Sequence, residues 1–105
     1  MEIGKVIGTI TSTVKHETYQ GKPLLVVQQL NLEGEVNGPV RIAVDYIGAG
    51  VGDLVLFGGA PGVAAEVFGV EKAPIRDLVM GIIDYFDVND KQVMTLYDEV
   101  KEKKE

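Results

Sequence analysis

Apolar and polar positions alternate in short runs along most of this chain, which is the pattern of half-buried β-strands. From Glu2 to Val14 the apolar positions Ile3, Val6, Ile7, Ile10 and Val14 are separated by Thr9, Thr11, Ser12 and Thr13. This predicts a long strand that Gly4 and Gly8 allow to bend. Lys15 to Lys22 is polar and reads as a loop. Pro23 to Leu30 predicts a second strand, with the proline tolerated at its first position. Asn31 to Pro39 carries Gly34, Asn37-Gly38 and Pro39 and reads as a turn region; Val40–Val44 and Asp53–Phe57 follow as the third and fourth strands. Gly58-Gly59-Ala60-Pro61-Gly62 breaks the pattern, and Val63 to Phe68 reads as a short helix ended by Gly69. Leu78 to Phe86 is almost wholly apolar, so a fifth strand buried on both faces is expected. Asn89-Asp90 then turns the chain into a tail. There Val93 and Met94 suggest an edge strand, while Val93, Leu96, Tyr97 and Val100 fall at helical spacing. The apolar stripe of that tail needs a surface to cover, on its own barrel or on a neighbouring subunit.

These elements predict a mainly β fold, a small closed or partly closed five-stranded barrel with a short helix between strands four and five. The barrel is expected over residues 1–88, with a C-terminal strand or helix extension over 89–105. Thirteen glycines in 105 residues exceed the average of about 7% and suit strands that bend around a small barrel.

The densest cluster of those glycines sits in Val44-Asp45-Tyr46-Ile47-Gly48-Ala49-Gly50-Val51-Gly52-Asp53-Leu54-Val55. A dinucleotide loop needs Gly-x-Gly-x-x-Gly opening a helix. Here the spacing is Gly-x-Gly-x-Gly, the position required for the third glycine is Asp53, and the apolar run that follows reads as a strand. The loop therefore joins strand to strand and is not a dinucleotide loop. Gly58 to Gly62 is followed by no Gly-Lys-Ser/Thr, which removes a P-loop as well.

Composition narrows the remaining classes. A net charge of −6 and a dense lysine run only at Lys101, Lys103 and Lys104, interleaved with Glu99, Glu102 and Glu105, disfavour nucleic acid and anionic membranes. With no cysteine there is neither a disulfide framework nor a thiolate metal site. No apolar run approaches the roughly 18 residues of a membrane span, and no signal-peptide pattern is visible, so a cytoplasmic location is expected. A domain of this size buries a modest share of its surface and gains stability from oligomerisation.

Candidate chemistry is sparse. His16 is the sole histidine and lies beside Glu17 without the partners of a triad or a metal site. Asp45, Asp77 and Asp84 each border an apolar strand; aspartates there more often bond turn N–H groups than form an acid–base pair. The aromatics Tyr19, Tyr46, Phe57, Phe68, Tyr85, Phe86 and Tyr97 are scattered without basic interleaving, unlike a stacking surface for single strands. No catalytic, cofactor or metal residues are expected.

Four segments in order resemble one family. Met1-Glu2-Ile3-Gly4-Lys5-Val6-Ile7-Gly8 resembles its start, and Gly21-Lys22-Pro23-Leu24-Leu25-Val26-Val27-Gln28 its second strand. Ala43 to Leu56 resembles its Ala-Val-Asp-x-Val-Gly-Ala-Gly-x-Gly-Glu/Asp-x-Val-Leu, and Gly81-Ile82-Ile83-Asp84 its Gly-Ile-Val/Ile-Asp. The family is EutN/CcmL, the vertex proteins of bacterial microcompartments. The resemblance implies a barrel of oligonucleotide-binding type and a homopentamer at the vertices of a polyhedral shell, among hexameric tiles. It implies a structural role with no catalysis and no cofactor. Asp45, Gly48, Ala49, Gly50 and Gly52 are then expected at a subunit contact or near the five-fold axis. One segment departs: many relatives carry Gly-Ser-Ser-Ala-Arg where this chain has Gly62-Val63-Ala64-Ala65-Glu66, which offers neither hydroxyls nor a guanidinium. The competing readings are a monomeric barrel that binds nucleic acid or oligosaccharide, and a small enzyme or regulatory nucleotide binder that uses the glycine loop.

Overall fold

The computed structural model describes residues 1–11, 23–59 and 77–101. Through them run β1 (Glu2–Ile10), β2 (Leu24–Leu30), β3 (Val36–Val44), β4 (Leu54–Gly58), β5 (Leu78–Ile82), β6 (Tyr85–Val88) and β7 (Lys91–Thr95). The first five close into a barrel in the order β1-β2-β3-β5-β4, with β4 returning to β1. This is the five-stranded barrel expected from the sequence. The seams β1–β2, β2–β3, β1–β4 and β4–β5 are antiparallel. The β3–β5 seam is parallel and rests on Val44 opposite Leu78, with the Val44 N–H donating to the Asp77 carbonyl at 3.0 Å. The expected helix at Val63–Phe68 and the departed segment Gly62–Glu66 lie outside the described residues, as do His16 and its loop.

Inward positions on successive strands supply the barrel core: Val6, Leu25, Val27, Ala43, Val55, Phe57 and Val79. Gly4 is inside as well, and its role differs from the bend expected of it. A Cβ there would collide with Val27 and lie 2.7 Å from Cε1 of Phe57 and 2.9 Å from the Gln28 carbonyl. Gly4 thus makes room for the Val27 side chain and, beside it, the Phe57 ring. The bend of β1 comes instead from a register shift between Val6 and Gly8 that leaves Ile7 bulged outward.

β3 begins earlier than the turn signals suggest. The Asn31 carboxamide oxygen accepts from the N–H groups of Glu33 and Glu35, both at 2.9 Å, which closes the β2–β3 turn within five residues. Asn37-Gly38-Pro39 is then carried inside the strand, where the register slips between Gln28 and Leu30 and Gly38 takes a positive φ of 81°.

The largest corrections fall after β5. The apolar run from Leu78 to Phe86 is two strands, because the Ile83 N–H turns to the Leu54 carbonyl at 2.7 Å and Asp84 bends the chain away from the barrel. Its far part is not buried on both faces: Ile82 and Tyr85 are exposed. The tail is no helix among the described residues. Asn89 and Asp90 both adopt positive φ, 54° and 63°, the two-residue turn of a hairpin, so β7 folds back on β6 with Phe86 opposite Met94. The helical spacing fails for a physical reason. Thr95 to Asp98 is a turn held by the Asp98 carboxylate on the Thr95 N–H at 2.9 Å, and Tyr97 points to solvent.

This hairpin builds a second core outside the barrel. Buried Met94 packs with Leu30 and Leu54, flanked by Ile3, Ile83, Phe86, Val93, Leu96 and Val100. Ile3 and Lys5 lie on the face of β1 opposite to Gly4. The Lys5 ammonium donates to the carbonyls of Leu96 at 2.7 Å and Asp98 at 3.2 Å, tying the turn after β7 to β1. Lys101 then forms a parallel bridge beside Glu35, its carbonyl accepting from the Val36 N–H at 2.8 Å. Replacing Lys5 by methionine keeps the alkyl packing and removes the donor, and is expected to destabilise by about 1 kcal/mol. Hydrogen exchange of amides 91–96 should quicken in that variant, while the barrel strands keep their protection.

Candidate functional site

The glycine loop spans residues 45–53, between β3 and β4, and the structure ties both of its ends to the barrel. Asp45 is 2% exposed, and its Oδ1 accepts from the N–H groups of Ile47 at 3.1 Å and Gly48 at 3.2 Å. Asp53 Oδ2 accepts from the Gly50 N–H at 2.8 Å, and the Asp53 N–H donates to the Gly50 carbonyl at 3.0 Å. The Gly52 N–H donates to the Val6 carbonyl at 2.8 Å, and the Val6 N–H returns to the Asp53 carbonyl at 2.9 Å. Between these clamps Ala49 packs against the barrel core. The loop is therefore a preformed surface, held by two aspartates and sewn to β1.

This geometry decides what the loop can do chemically. A phosphate cradle needs free N–H groups converging on one point. Those of Ile47, Gly48, Gly50 and Gly52 are already donated within the chain, so the loop has none of these four to offer a phosphate. What it presents outward is apolar: Tyr46 is 39% exposed, Ile47 38% and Val51 64%. The glycines divide by cause. Gly48 and Gly52 adopt φ of 90° and 96°, a conformation that side chains resist. Gly50 has no positive φ, and a Cβ there would meet nothing within 4 Å. Nothing within the described residues requires a glycine at position 50.

The three aspartates raised as carboxylate candidates are separated by their engagements. Asp45 serves the loop turn, as expected for a strand-end aspartate. Asp77 departs from that expectation: it pairs with Arg41 through two parallel bonds, Nε to Oδ2 at 3.0 Å and Nη2 to Oδ1 at 2.9 Å. Asp84 is exposed, and its carbonyl accepts from the Leu96 N–H at 2.8 Å. Among the described residues no group of three His, Cys, Asp or Glu side chains is placed to hold a metal ion.

Sequence reasoning missed a polar chain on the inner face of the barrel. From Asp77 it passes to Arg41, whose Nη1 donates to Gln29 Oε1 at 3.4 Å, and Gln29 Nε2 donates to Glu2 Oε2 at 3.1 Å. The guanidinium also lies 5.8 Å from the Phe57 ring centroid. Only the register reveals it: Arg41 sits opposite the core residue Val27 in β2–β3, an inward position. Sequence reasoning also did not join the glycine loop to β5. The Tyr46 hydroxyl reaches Met80 Sδ at 3.7 Å, which lays the start of the loop along that strand.

The sequence model of the family described as "Ethanolamine utilisation protein EutN/carboxysome" matches residues 1–84. The carboxysome shell vertex protein CcmL of Gloeobacter violaceus is 33% identical over 101 residues, covering 96% of this chain and 100% of that protein. The solved CcmL structure from the same organism superposes with a TM-score of 0.81, over 93% of this chain and 100% of that one. The microcompartment shell vertex protein GrpN of Rhodospirillum rubrum is 38% identical over 84 residues, 80% of this chain and 93% of that protein. Its structure, titled a pentameric microcompartment shell protein, gives a TM-score of 0.72 over 84% of this chain and 99% of that one. A pentameric shell protein of the RMM microcompartment is similar as well, at 31% identity and a TM-score of 0.65 over 79% of this chain and 100% of that one. With its barrel, its glycine loop and nearly its whole length matched, the chain belongs to the EutN/CcmL family.

Proposed function

We propose that this protein is a structural vertex unit of a bacterial microcompartment shell. In this reading five copies form a ring at each corner of the polyhedron and meet hexameric tiles around their rim. A flat layer of hexagonal units does not close, and a cyclic five-fold unit supplies the curvature. The observation that carries the reading is the match of this barrel to two shell proteins titled pentameric. The glycine loop supports it from the other side, because four of its N–H groups are already donated within the chain and its outward surface is apolar, which suits protein contact. The role is mechanical, with no reaction and no cofactor, and it places the protein in the shell, inside the cell.

Native mass spectrometry of the full chain at micromolar concentration is expected to give a mass of five subunits; a monomer would overturn the reading. The loop has its own test. Gly50→Val introduces no backbone strain, so the monomer is expected to keep its thermal midpoint within a few degrees. If the loop lies at a subunit contact, the five-subunit mass is lost; an unaltered ring places the loop away from the contacts. Mixing the ring with flat hexameric tiles and imaging closed shells by electron microscopy tests the rim contact.

A further inference from the structure

The bulge in β3 sets a reactive pair of residues side by side. Asn37 is followed by Gly38, whose φ of 81° is one that side chains resist. The β2–β3 register pairs Leu30 with Val36 and Gln28 with Val40, and pairs none of Asn37, Gly38 and Pro39. On the other edge of β3, β5 reaches only Val44. No acceptor among the described residues takes the Gly38 N–H, and the glycine is exposed. The Asn37 carboxamide is equally free of partners among the described residues. It lines an open cavity of about 500 Å³ together with Met1, Glu2 and Leu32, so water has access to it.

The other two asparagines of the chain, Asn31 and Asn89, are placed differently. Asn31 Oδ1 accepts from the Glu33 and Glu35 N–H groups, both at 2.9 Å, and its Nδ2 donates to Glu35 Oε1 at 3.0 Å. That carboxamide is held on both atoms, and the branched Leu32 follows it. Asn89 precedes Asp90, whose Cβ and carboxylate crowd the intervening amide, and both residues are fixed in the hairpin turn. Only Asn37 therefore combines an unheld carboxamide, an unheld amide nitrogen after it, and a following residue without a Cβ.

We infer that Asn37 is a site of spontaneous covalent modification, deamidation through a cyclic imide. The Gly38 amide nitrogen, on losing its proton, attacks Asn37 Cγ; the new N–C bond closes a five-membered ring, and the carboxamide nitrogen leaves as ammonia. Water then opens the ring at either carbonyl. One product is aspartate; the other is isoaspartate, in which the main chain runs through the former side chain and is one methylene longer. The net change is uptake of water and loss of ammonia, with no oxidant, reductant or enzyme. Each event makes the chain one unit more negative than its formal −6 and sets the new carboxylate in the cavity that Glu2 also lines. The inference stands apart from the ring reading.

The test is to age the folded full chain and the chain unfolded in urea side by side, in mildly alkaline buffer, and to map their peptides by mass spectrometry. The peptide containing Asn37 is expected to gain the mass of exchanging an amide for a carboxylic acid, at a rate within about tenfold of that in urea, because the bulge gives little protection. Asn31 in the folded chain should stay intact. An isoaspartate-specific carboxyl methyltransferase with labelled S-adenosylmethionine should label the aged chain. It should not label Asn37→Gln aged in the same way, because glutamine closes the larger ring far more slowly. Circular dichroism checks that this variant is folded. Reaction at Asn37 in urea but not in the folded chain would show that the strand protects the site and overturns the inference. Label that persists in Asn37→Gln, or faster reaction at Asn89, overturns it as well.

Discussion

Replacing Leu54 with aspartate is expected to leave no folded population at room temperature. Leu54 is fully buried and joins the barrel to the hairpin, packing with Leu30 and Met94. Removing a buried leucine side chain costs about 1.5–3 kcal/mol by area alone. Placing an unpaired carboxylate there adds several kcal/mol more, or forces its protonation at comparable cost. The described cation that faces Leu54 across the β1–β4 ladder is Lys5, whose ammonium already serves the Leu96 and Asp98 carbonyls. Recruiting it would unfasten the hairpin. A small domain holds only about 5–15 kcal/mol in total, and one of this size sits toward the lower end, so the sum cancels it. Far-UV circular dichroism and urea titration are the measurements: the strand signal should be absent and no cooperative transition seen. A variant that retains a native-like transition would show the two cores to be separable.

Gly4→Val is expected to be nearly as damaging, for the opposite reason. The barrel interior is filled by Phe57 and Val27 at the point where any Cβ on residue 4 must go. Overpacking of this kind costs about 1–3 kcal/mol where neighbours can give way, and more where a carbonyl such as that of Gln28 blocks the site. Urea denaturation should show a large drop in midpoint with an unaltered slope. The cause has its own signature. Combining Gly4→Ala with Phe57→Leu is expected to cost less than the two changes added, because the smaller side chain vacates the space the new methyl needs. Strict additivity would mean that Val27 and the Gln28 carbonyl, not the Phe57 ring, keep residue 4 a glycine.

Much of the fold was legible because short-range signals dominate it. The short apolar runs at Leu24–Val27 and Leu54–Phe57, bounded by Pro23 and by Gly58, placed β2 and β4 to within a residue. Asn89-Asp90 marked its turn because few residue pairs tolerate two successive positive φ values. The errors arose where a local pattern has two solutions. The run Leu78–Phe86 supports one long strand as readily as two, and only the pull of Ile83 toward Leu54 breaks it. Spacing of three and four in the tail fits a helix, yet hairpin closure and the hold of Lys5 on Leu96 and Asp98 win over it.

The candidate site divides along the same line. The sequence by itself determined that the glycine loop joins two strands, that its spacing is wrong for a dinucleotide, and which family it belongs with, because these depend on residue order alone. Only the tertiary structure decided the purpose of each glycine. Gly4 yields space to a ring from β4, Gly48 and Gly52 adopt a conformation closed to side chains, and Gly50 and Gly81 face outward with nothing beside them. It also decided that Arg41, in an alternating run, turns inward to Asp77. Residue order carries backbone propensity and periodicity, whereas vacancy and contact are properties of the space between strands distant in the chain. That space exists only once the barrel has closed.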